Sequence, residues 1–395
     1  MTAPTATPPQ AAPNAKNAPA PKPYPFPVGV YESTTQDYDQ TVALGATIAA
    51  WLPGTQLPKW NVSPTGWLRA LWLDFTVTIA GNAATPALAA DGPWSAVLKC
   101  TIYDLGGEVI IQVTGYEWMV LNKFGGYYEI GDPRADITFS VTAGSGASAG
   151  SFHFILALPF EAVARDSLGT VQNESKPGWS VELYMDSAAN VYSTQPTGTG
   201  TASLRVRGYP ESYTEPLASA PNGRAFSQTP PLPGSLQYWK SENQAEPSGN
   251  MRYDLSNGIG FPIRNIIYYA RAASDSTRAT ADAAWPDPAT LLLGNVNLFT
   301  KSKNLWLSRL GKDFGLTSAT VDTAMGRENG VFPVWMTRDF GLRAGAEVRF
   351  KYLDTQVNTL LRFNGSFGAA CTFFALTNWI ATPSKNRYAL IAGGQ

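Results

Sequence analysis

The residues that most often carry chemistry in proteins are scarce or scattered in this chain. The single histidine, His153, lies in the alternating run Phe152-His153-Phe154-Ile155-Leu156. A histidine could act as a pH sensor, a ligand or the base of a triad, but one histidine cannot build a multi-histidine metal site. The alternation favours a simpler interpretation, in which His153 is a strand residue on the more polar face of a sheet.

Paired carboxylates are the second candidate chemistry, because two acids are enough for general acid and base catalysis. No spacing in the sequence selects a pair, and neither G-x-G-x-x-G nor G-x-x-x-x-G-K occurs. We therefore expect a protein that is not an enzyme, with no catalytic, cofactor-binding or metal-binding residues. The carboxylates considered are Glu108, Glu117, Asp132, Asp136, Asp166 and Glu182.

The two cysteines, Cys100 and Cys371, lie far apart in apolar, strand-like stretches. This placement predicts buried thiols, and the pattern also leaves room for a bridge between them. The first residues show no charged region followed by an apolar core, so we expect no secretory signal. The stretch 367–384 contains Thr, Asn and Pro and is too polar to span a bilayer, so we expect a soluble protein.

Composition favours an all-β protein. Only 15% of the 395 residues are charged, 12% are aromatic, and there are 36 Gly and 30 Pro, which suits many short strands joined by turns. The length exceeds one ordinary core and predicts two domains. A net charge of −1 without any basic run argues against sequence-specific nucleic-acid binding, which usually rests on a basic face.

The stretch Gly66 to Asn82 is the clearest secondary-structure signal. From Leu71 to Ile79 apolar residues alternate with polar residues or tryptophan, which predicts a strand with one face on a core. Two β-branched stretches, 96–103 and 109–114, flank Asp104-Leu105-Gly106-Gly107 and predict a hairpin. A strand followed by a hairpin is typical of an antiparallel domain.

Taken in order, the chain divides into four parts. Residues 1–30 are rich in Pro and Ala and predict an extended arm. Residues 31–208 predict about eight short strands, 209–257 a Pro, Ser and Gly-rich linker, and 258–395 a second sandwich with a helix near 303–325. For Tyr116 to Asn122 the period fits either a helical turn or a strand.

Seven stretches together form a series of strands, turns and short polar patches. They are 66–82, Asp91-Gly92-Pro93, Ile102-Tyr103-Asp104, Thr114-Gly115-Tyr116, Gly150-Ser151-Phe152, Leu158-Pro159-Phe160 and Arg165-Asp166-Ser167-Leu168-Gly169. Their order resembles that in the double jelly-roll major capsid proteins of tectivirus-like, membrane-containing icosahedral bacteriophages. The likeness spans roughly residues 30–385 and is best in the first half, while the second half matches in layout more than in residues. The Pro/Ala-rich arm departs from the family.

The resemblance implies two consecutive eight-stranded jelly rolls, the second with a short helical insertion. It also implies a homotrimer with a pseudo-hexagonal outline that tiles a shell over an internal membrane. Its partners would be other copies of the chain, vertex and minor capsid proteins, and the lipid. The protein would be made in the host cytoplasm and reside in the virion.

Two other functions stay open at the level of sequence. The 12 Trp and 17 Tyr would also suit a carbohydrate-binding or carbohydrate-active β-sandwich protein, in which exposed rings stack on sugars. A phage receptor-binding or spike protein is a third, weaker hypothesis.

Overall fold

The computed structural model describes residues 21–81, 85–127, 131–141, 149–174, 178–274, 278–336 and 352–382. The chain is all-β, as predicted, and has several sheets. The strands of the first half are β1 (Glu32–Thr34), β2 (Tyr38–Gly45), β3 (Trp60–Asn61), β4 (Gly66–Ile79), β5 (Ala87–Leu88), β6 (Val97–Tyr103), β7 (Val109–Val113), β8 (Thr138–Phe139), β9 (Phe152–Pro159), β10 (Val171–Asn173), β11 (Ser180–Met185), β12 (Tyr192–Thr194) and β13 (Ala202–Tyr213).

The second half continues the all-β pattern, and the described residues contain four α-helices besides three short 3-10 helices. The remaining strands are β14 (Leu236–Glu246), β15 (Gly249–Leu255), β16 (Pro262–Ala272), β17 (Ala289–Leu293), β18 (Val296–Lys301), β19 (Val331–Trp335), β20 (Leu353–Asp354), β21 (Leu361–Phe367) and β22 (Cys371–Ala381). The helices are α1 (Gly115–Phe124), α2 (Ala188–Val191), α3 (Arg278–Ala283) and α4 (Lys303–Asp313). No described helix has the length and hydropathy needed to cross a membrane.

Two sandwiches share one continuous sheet. The first sandwich packs the sheet β1-β13-β4-β9-β8 against β7-β6-β11-β3, and the second packs β19-β16-β22-β14 against β15-β21-β17-β18. Strands β7 and β14 run parallel, with Ile111 opposite Trp239 and Gln112 opposite Lys240. This pairing joins the two inner sheets into a single nine-stranded sheet, so the two halves are linked by backbone hydrogen bonds as well as by side chains.

The alternating strand forms as predicted. In β4 the residues Leu71, Leu73, Phe75, Val77 and Ile79 are all buried, and β4 pairs with both β9 and β13. The predicted hairpin is also present, with β6 and β7 joined at Asp104 to Gly107. Apolar and polar residues alternate along a strand when one of its faces is buried, so this pattern predicts both the strand and its buried face.

The boundaries 1–30, 31–208, 209–257 and 258–395 stay predictions, but three elements inside them differ from expectation. The predicted linker contains strands β14 and β15, because pairing of β14 with both β22 and β7 stabilises a segment whose polar residues look loop-like. Helix α4 ends at Asp313 rather than near 325, followed by Phe314 and Gly315, the latter at φ +63°. In the first half, where Tyr116 to Asn122 fitted either a helical turn or a strand, the chain forms a buried helix, α1.

The end of the predicted arm is docked on its own chain. The ring of Phe26 is buried, with centroids 5.5 Å from Trp67 and 5.8 Å from Tyr213 in edge-on contacts. Tyr24 lies under the guanidinium of Arg224, 4.0 Å from its ring centroid. These aromatic contacts hold Tyr24 and Phe26 against the rest of the chain, whereas the Pro-rich composition alone predicts an extended segment. Residues 1–20 lie outside the described residues.

Candidate functional site: the seam between the two rolls

We call the first sandwich the first roll and the second sandwich the second roll. We use the word seam for the buried surface where strands of residues 66–213 meet strands of residues 236–381. Helix α1 lies in it and contacts both sides. Thr114 and Glu117 form a capping box at its first turn, with Thr114 N donating to Glu117 Oε2 at 2.8 Å. Thr114 and Glu117, which precede an apolar run, are a sequence signal for the start of a helix. This signal favours a helix over a strand at Tyr116 to Asn122.

Strand β16 of the second roll binds both ends of α1. Tyr269 donates its hydroxyl to Glu117 Oε1 at 2.8 Å, and burial raises the pKa of Tyr269, which keeps it a donor. At the other end, Arg264 Nη1 donates to Gly125 O at 2.8 Å and Asn265 Nδ2 donates to Phe124 O at 3.0 Å. A cation at the carboxyl end of a helix is also favoured by the helix dipole.

The side of α1 closes the open edge of β9. Asn122 donates from Nδ2 to Ala157 O at 2.7 Å and accepts from Ala157 N through Oδ1 at 2.8 Å. Trp118 Nε1 donates to the same carbonyl at 2.7 Å. The amide of Asn122 therefore pairs with one backbone unit as a neighbouring strand would, and it satisfies an edge that would otherwise be buried without partners.

Replacing Asn122 tests this closure. Asn122→Leu keeps a side chain of similar size but leaves Ala157 N–H without its partner, so we expect the free energy of unfolding to fall by about 1–3 kcal/mol. Urea denaturation of purified protein measures the change. Asn250→Leu, at an exposed strand position, is the matched control. If the two variants lose the same stability, Asn122 does not close the edge.

Gln237, at the start of β14, makes similar side-chain hydrogen bonds to the backbone at the end of β9 and just beyond it. Its Nε2 lies within 2.9–3.2 Å of three successive carbonyl oxygens, and its Oε1 accepts from Tyr127 at 2.7 Å and from Asn378 at 3.2 Å. The three carbonyls belong to Pro159, Phe160 and Glu161. One side chain of the second roll thus binds the turn where the first roll's sheet ends.

A buried ion cluster fills one end of the seam. Glu328 is fully buried and accepts from Lys123 at 2.8 Å and from Arg134 through two nitrogens at 2.6 Å each. Four cations and four carboxylates make up the cluster, half from each roll, so its charges balance. Its members are Asp91, Lys123, Asp132 and Arg134 from the first roll, and Arg271, Arg278, Asp322 and Glu328 from the second.

Electrostatics within the cluster favour the ionised forms. Burial alone would raise the pKa of Asp322, but Arg278 at 3.1 Å holds that pKa below its usual value. A carboxylate with a lowered pKa stabilises the fold at neutral pH, and this contribution is lost as the pH falls through the folded-state value. The cluster therefore ties the two rolls together under neutral conditions.

The candidate residues from the sequence have mostly structural contacts. His153 lies on β9 with its Nε2 2.9 Å from Asp74 Oδ1, and Asp74 also binds Arg207. This agrees with the interpretation of a strand residue on a polar face. Both cysteines are buried free thiols, and burial raises the pKa of each.

The six candidate carboxylates divide between the seam and other places. Glu117 and Asp132 belong to the seam, and Glu108 accepts from Tyr238 across it at 3.4 Å. Glu182 binds Lys59 at 3.2 Å, Asp166 accepts from the backbone of Leu168, and Asp136 is exposed. In the described residues, no three His, Cys, Asp or Glu side chains are grouped so that they could hold a metal ion.

Sequence reasoning missed the residues that hold the seam together. Arg264, Asn265 and Glu328 are fully buried polar residues. The available signal was the polar pair Arg264-Asn265 inside the apolar run 263–270, because a strand buried on both faces has room for such residues only where they find partners. The partners to which their side chains hydrogen-bond lie more than a hundred residues away in the chain and are not visible in a local pattern.

Comparison with solved structures supports the fold. No family model and no curated protein matches the chain. Among solved structures, a chain in the atomic structure of Sulfolobus Turreted Icosahedral Virus matches with a TM-score of 0.59 at 13% identity, covering 93% of this chain and 96% of the other. The crystal structure of the STIV MCP gives 0.58 at 13% identity over 91% and 99%, and the PBCV-1 virus capsid gives 0.52 at 10% identity over 93% and 96%.

These matches extend over nearly the whole of each chain, so both sandwiches and their arrangement are shared, although few residues are. The sandwich pair, its continuous inner sheet and the interposed helix show that the chain has the double jelly-roll fold found in viral major capsid proteins.

Proposed function

We propose that the chain is the major capsid protein of a tectivirus-like, membrane-containing icosahedral virus. It acts as a structural subunit, with no enzymatic activity and no cofactor. Three copies associate into a capsomer of pseudo-hexagonal outline, and capsomers tile a shell over an internal membrane. Vertex and minor capsid proteins are its further partners, the virion is its location and the host cytoplasm its place of synthesis.

The observation that carries the proposal is the continuous sheet that joins the two rolls, in a fold that viral capsid structures share over nearly the whole chain. A shell subunit must keep its lateral faces in constant orientation, because each face meets a neighbour. The parallel pairing of β7 with β14 and the polar contacts of the seam supply that rigidity. Two independent domains on a flexible linker would not do so.

The carbohydrate-binding alternative, in the form that relies on exposed tryptophans, loses its main support. All twelve tryptophans lie in the described parts of the chain, and none is exposed. Only Trp72 and Trp335 are partly accessible, and Trp72 already donates to Glu211 at 2.6 Å. The tryptophans fill cores inside the subunit, so they are not the anchors of a sugar-binding surface, nor are most of them free to contact a neighbouring subunit.

Self-association is the direct test. We expect the purified chain to have a solution mass near three times 42.4 kDa by light scattering, with pseudo-hexagonal particles or shells by electron microscopy. If the two rolls keep the same relative orientation in every copy, all copies present the same surfaces to their neighbours. The variant Asn122→Leu, measured in the same experiments as the unaltered chain, distinguishes a loss of assembly from a loss of folding. A chain that stays monomeric at every concentration tested, while folded, would rule the proposal out.

A further inference from the structure

The nine-stranded sheet has a gap where β7 ends. Strand β7 lies between β6 and β14, but it stops at Val113, and the chain leaves the sheet to begin α1 at Gly115. Past this point the first residues of β6 and the last residues of β14 have no described strand between them. Neighbouring strands lie about 4.8 Å apart, so the gap left by β7 has the width of one strand. We call the gap between 97–99 and 241–246 the strand slot.

Both edges of the strand slot lack a pairing strand in the described part of the chain. On one side, β14 pairs with β7 only at Trp239 and Lys240, and nothing pairs with 241–246 on that edge. On the other side, the β6 residues 97–99 pair with β11 alone, because the pairing of β6 with β7 begins at Cys100. Alternate residues of a strand direct their N–H and C=O groups to the same edge, so both walls present backbone donors and acceptors.

An open groove coincides with the strand slot. Its volume is about 1210 Å³, and residues from both edges of the slot line it, among them Val97, Lys99, Val113, Ser241 and Asn243. Asn243 and the next two residues of β14 are exposed, although 237–239 in the same strand are buried. A strand end that is exposed and unpaired along one edge is a usual place for the addition of a further strand.

The charges that line the groove balance one another. Four cations and four carboxylates contribute to its walls, so the lining favours neither an anion nor a cation. An uncharged extended segment suits such walls, since its backbone can pair with the two edges. Its side chains alternate between the faces of the sheet, so it meets Lys240 on one face and Ser241 on the other. The charged residues are Lys99, Lys240, Arg271, Arg278, Asp91, Glu117, Asp186 and Asp322.

The two ends of the chain lie outside the described residues, and they differ in their fitness for the slot. Residues 1–20 contain five prolines. A proline donates no backbone hydrogen bond and is poorly accommodated inside a sheet. The last thirteen residues, 383–395, which we call the tail, have one proline at their start, and 388–392 (YALIA) is uncharged and largely apolar. The tail therefore suits a strand position between two others, and the Pro-rich arm does not.

The tail begins at the end of the strands away from the slot. Strand β22 runs antiparallel to β14, with Cys371 opposite Glu246 and Ala381 opposite Leu236. To enter the slot of its own subunit, the tail would have to reverse and pass the stretch that β7 already fills beside Trp239. A tail that continues in the direction of β22 moves away from its own slot. Thirteen extended residues span up to about 45 Å, enough to reach a second copy of the chain.

From these observations we infer that the strand slot binds the tail of a second copy of the chain, which adds as a strand between β6 and β14. Main-chain hydrogen bonds to the two edges hold the tail, and the side chains of 388–392 pack alternately on the two faces of the sheet. The inference rests on the self-association proposed above, and it names the segment and the site by which one copy holds another.

Disulfide trapping between full-length chains tests the exchange. A tagged Asn243→Cys chain is mixed with an untagged Ala389→Cys chain and oxidised, and the two native cysteines are buried and do not react. We expect a tagged–untagged dimer at a yield at least about fivefold above that of a tagged Thr78→Cys chain, because docking raises the local concentration of the tail. Thr78 is the matched control, since it is an exposed strand residue on the opposite sheet of the first roll.

Proline variants and a peptide test the kind of contact. Leu390→Pro in the Ala389→Cys chain should lower the dimer yield to that of the Thr78→Cys control, because proline removes a backbone donor. Ser384→Pro, before the apolar stretch, should leave the yield unchanged. A synthetic peptide of residues 383–395 should compete with the dimer, and its fluorescent form should bind the full-length chain by anisotropy even where that chain is monomeric. Peptide binding thus tests the slot separately from self-association.

Four results would overturn the inference. The first is a dimer yield equal to that of the control in folded chains that self-associate, which would leave the proposed function standing. The second is an intrachain disulfide alone in the double variant Asn243→Cys/Ala389→Cys, which would assign the tail to its own subunit. The third is a monomeric chain that does not bind the peptide. The fourth is stronger competition by a peptide of residues 1–20, which would assign the slot to the arm.

Discussion

Glu328→Gln should lower the free energy of unfolding by about 3–5 kcal/mol, the usual cost of breaking a buried ion pair from one side. Glu328 is fully buried and accepts from both Lys123 and Arg134. The amide is nearly the same size but uncharged, so two buried cations lose the anion that balances them. Because the cluster joins the two rolls, the loss should appear as a shift of the whole unfolding transition.

Chemical denaturation followed by tryptophan fluorescence measures this effect. Asp254→Asn is the matched control, because Asp254 pairs with Arg362 while its side chain is 44% exposed, and we expect a change of only about 0–1 kcal/mol there. The double variant Lys123→Met/Glu328→Gln should recover part of the loss, since it removes one of the unbalanced cations. Equal stability of Glu328→Gln and the control would contradict the role of the cluster.

Phe26→Ala should cost about 3–5 kcal/mol, the range for removal of a buried phenylalanine ring. The ring fills a small cluster with Trp67 and Tyr213 and is 2% exposed. The docked segment is also held by backbone hydrogen bonds, with Gly29 O accepting from Leu217 and Tyr31 O accepting from Thr214. Loss of the ring should therefore loosen residues 21–31 together.

Two truncations give the same information without a point substitution. Deletion of residues 1–20 should leave stability within about 0.5 kcal/mol, whereas deletion of residues 1–27 removes Phe26 and should be destabilising to a similar extent as Phe26→Ala. Thermal unfolding of the purified variants distinguishes them. Val28→Ala, at a position that is 60% exposed, is the control for a change in the same segment. Equal stability of both truncations would show that the docking of Phe26 contributes little.

Strands with one buried face were predictable from the sequence. In β4 the alternation places every second side chain in the core, and in the β6–β7 hairpin the turn residues stand between two β-branched runs. Both signals are local, since they depend on the pleat and on the conformations open to a few successive residues. The same reasoning placed His153 on a polar face, where it meets Asp74.

Strand β14 was missed because its signal is not local. Its second half, Lys240 to Glu246, is polar and follows a Pro-rich segment, so the stretch was assigned to a linker. The strand forms because β22 pairs with it along its whole length and β7 pairs with Trp239 and Lys240 on the other side. The end of α4 at Asp313 was missed for the opposite reason, since apolar residues beyond it pack on other elements while the backbone leaves the helix.

From the sequence alone follow the all-β class, the alternating strands, the two sandwiches and the scarcity of catalytic groups. Only the tertiary structure shows the seam, with Asn122 closing β9, Arg264 binding the end of α1 and Glu328 balancing two cations. The physical reason lies in the range of the interactions. Periodicity along a strand records contact with the core within a few residues, whereas a buried polar group depends on partners that only the closed fold brings within hydrogen-bond distance.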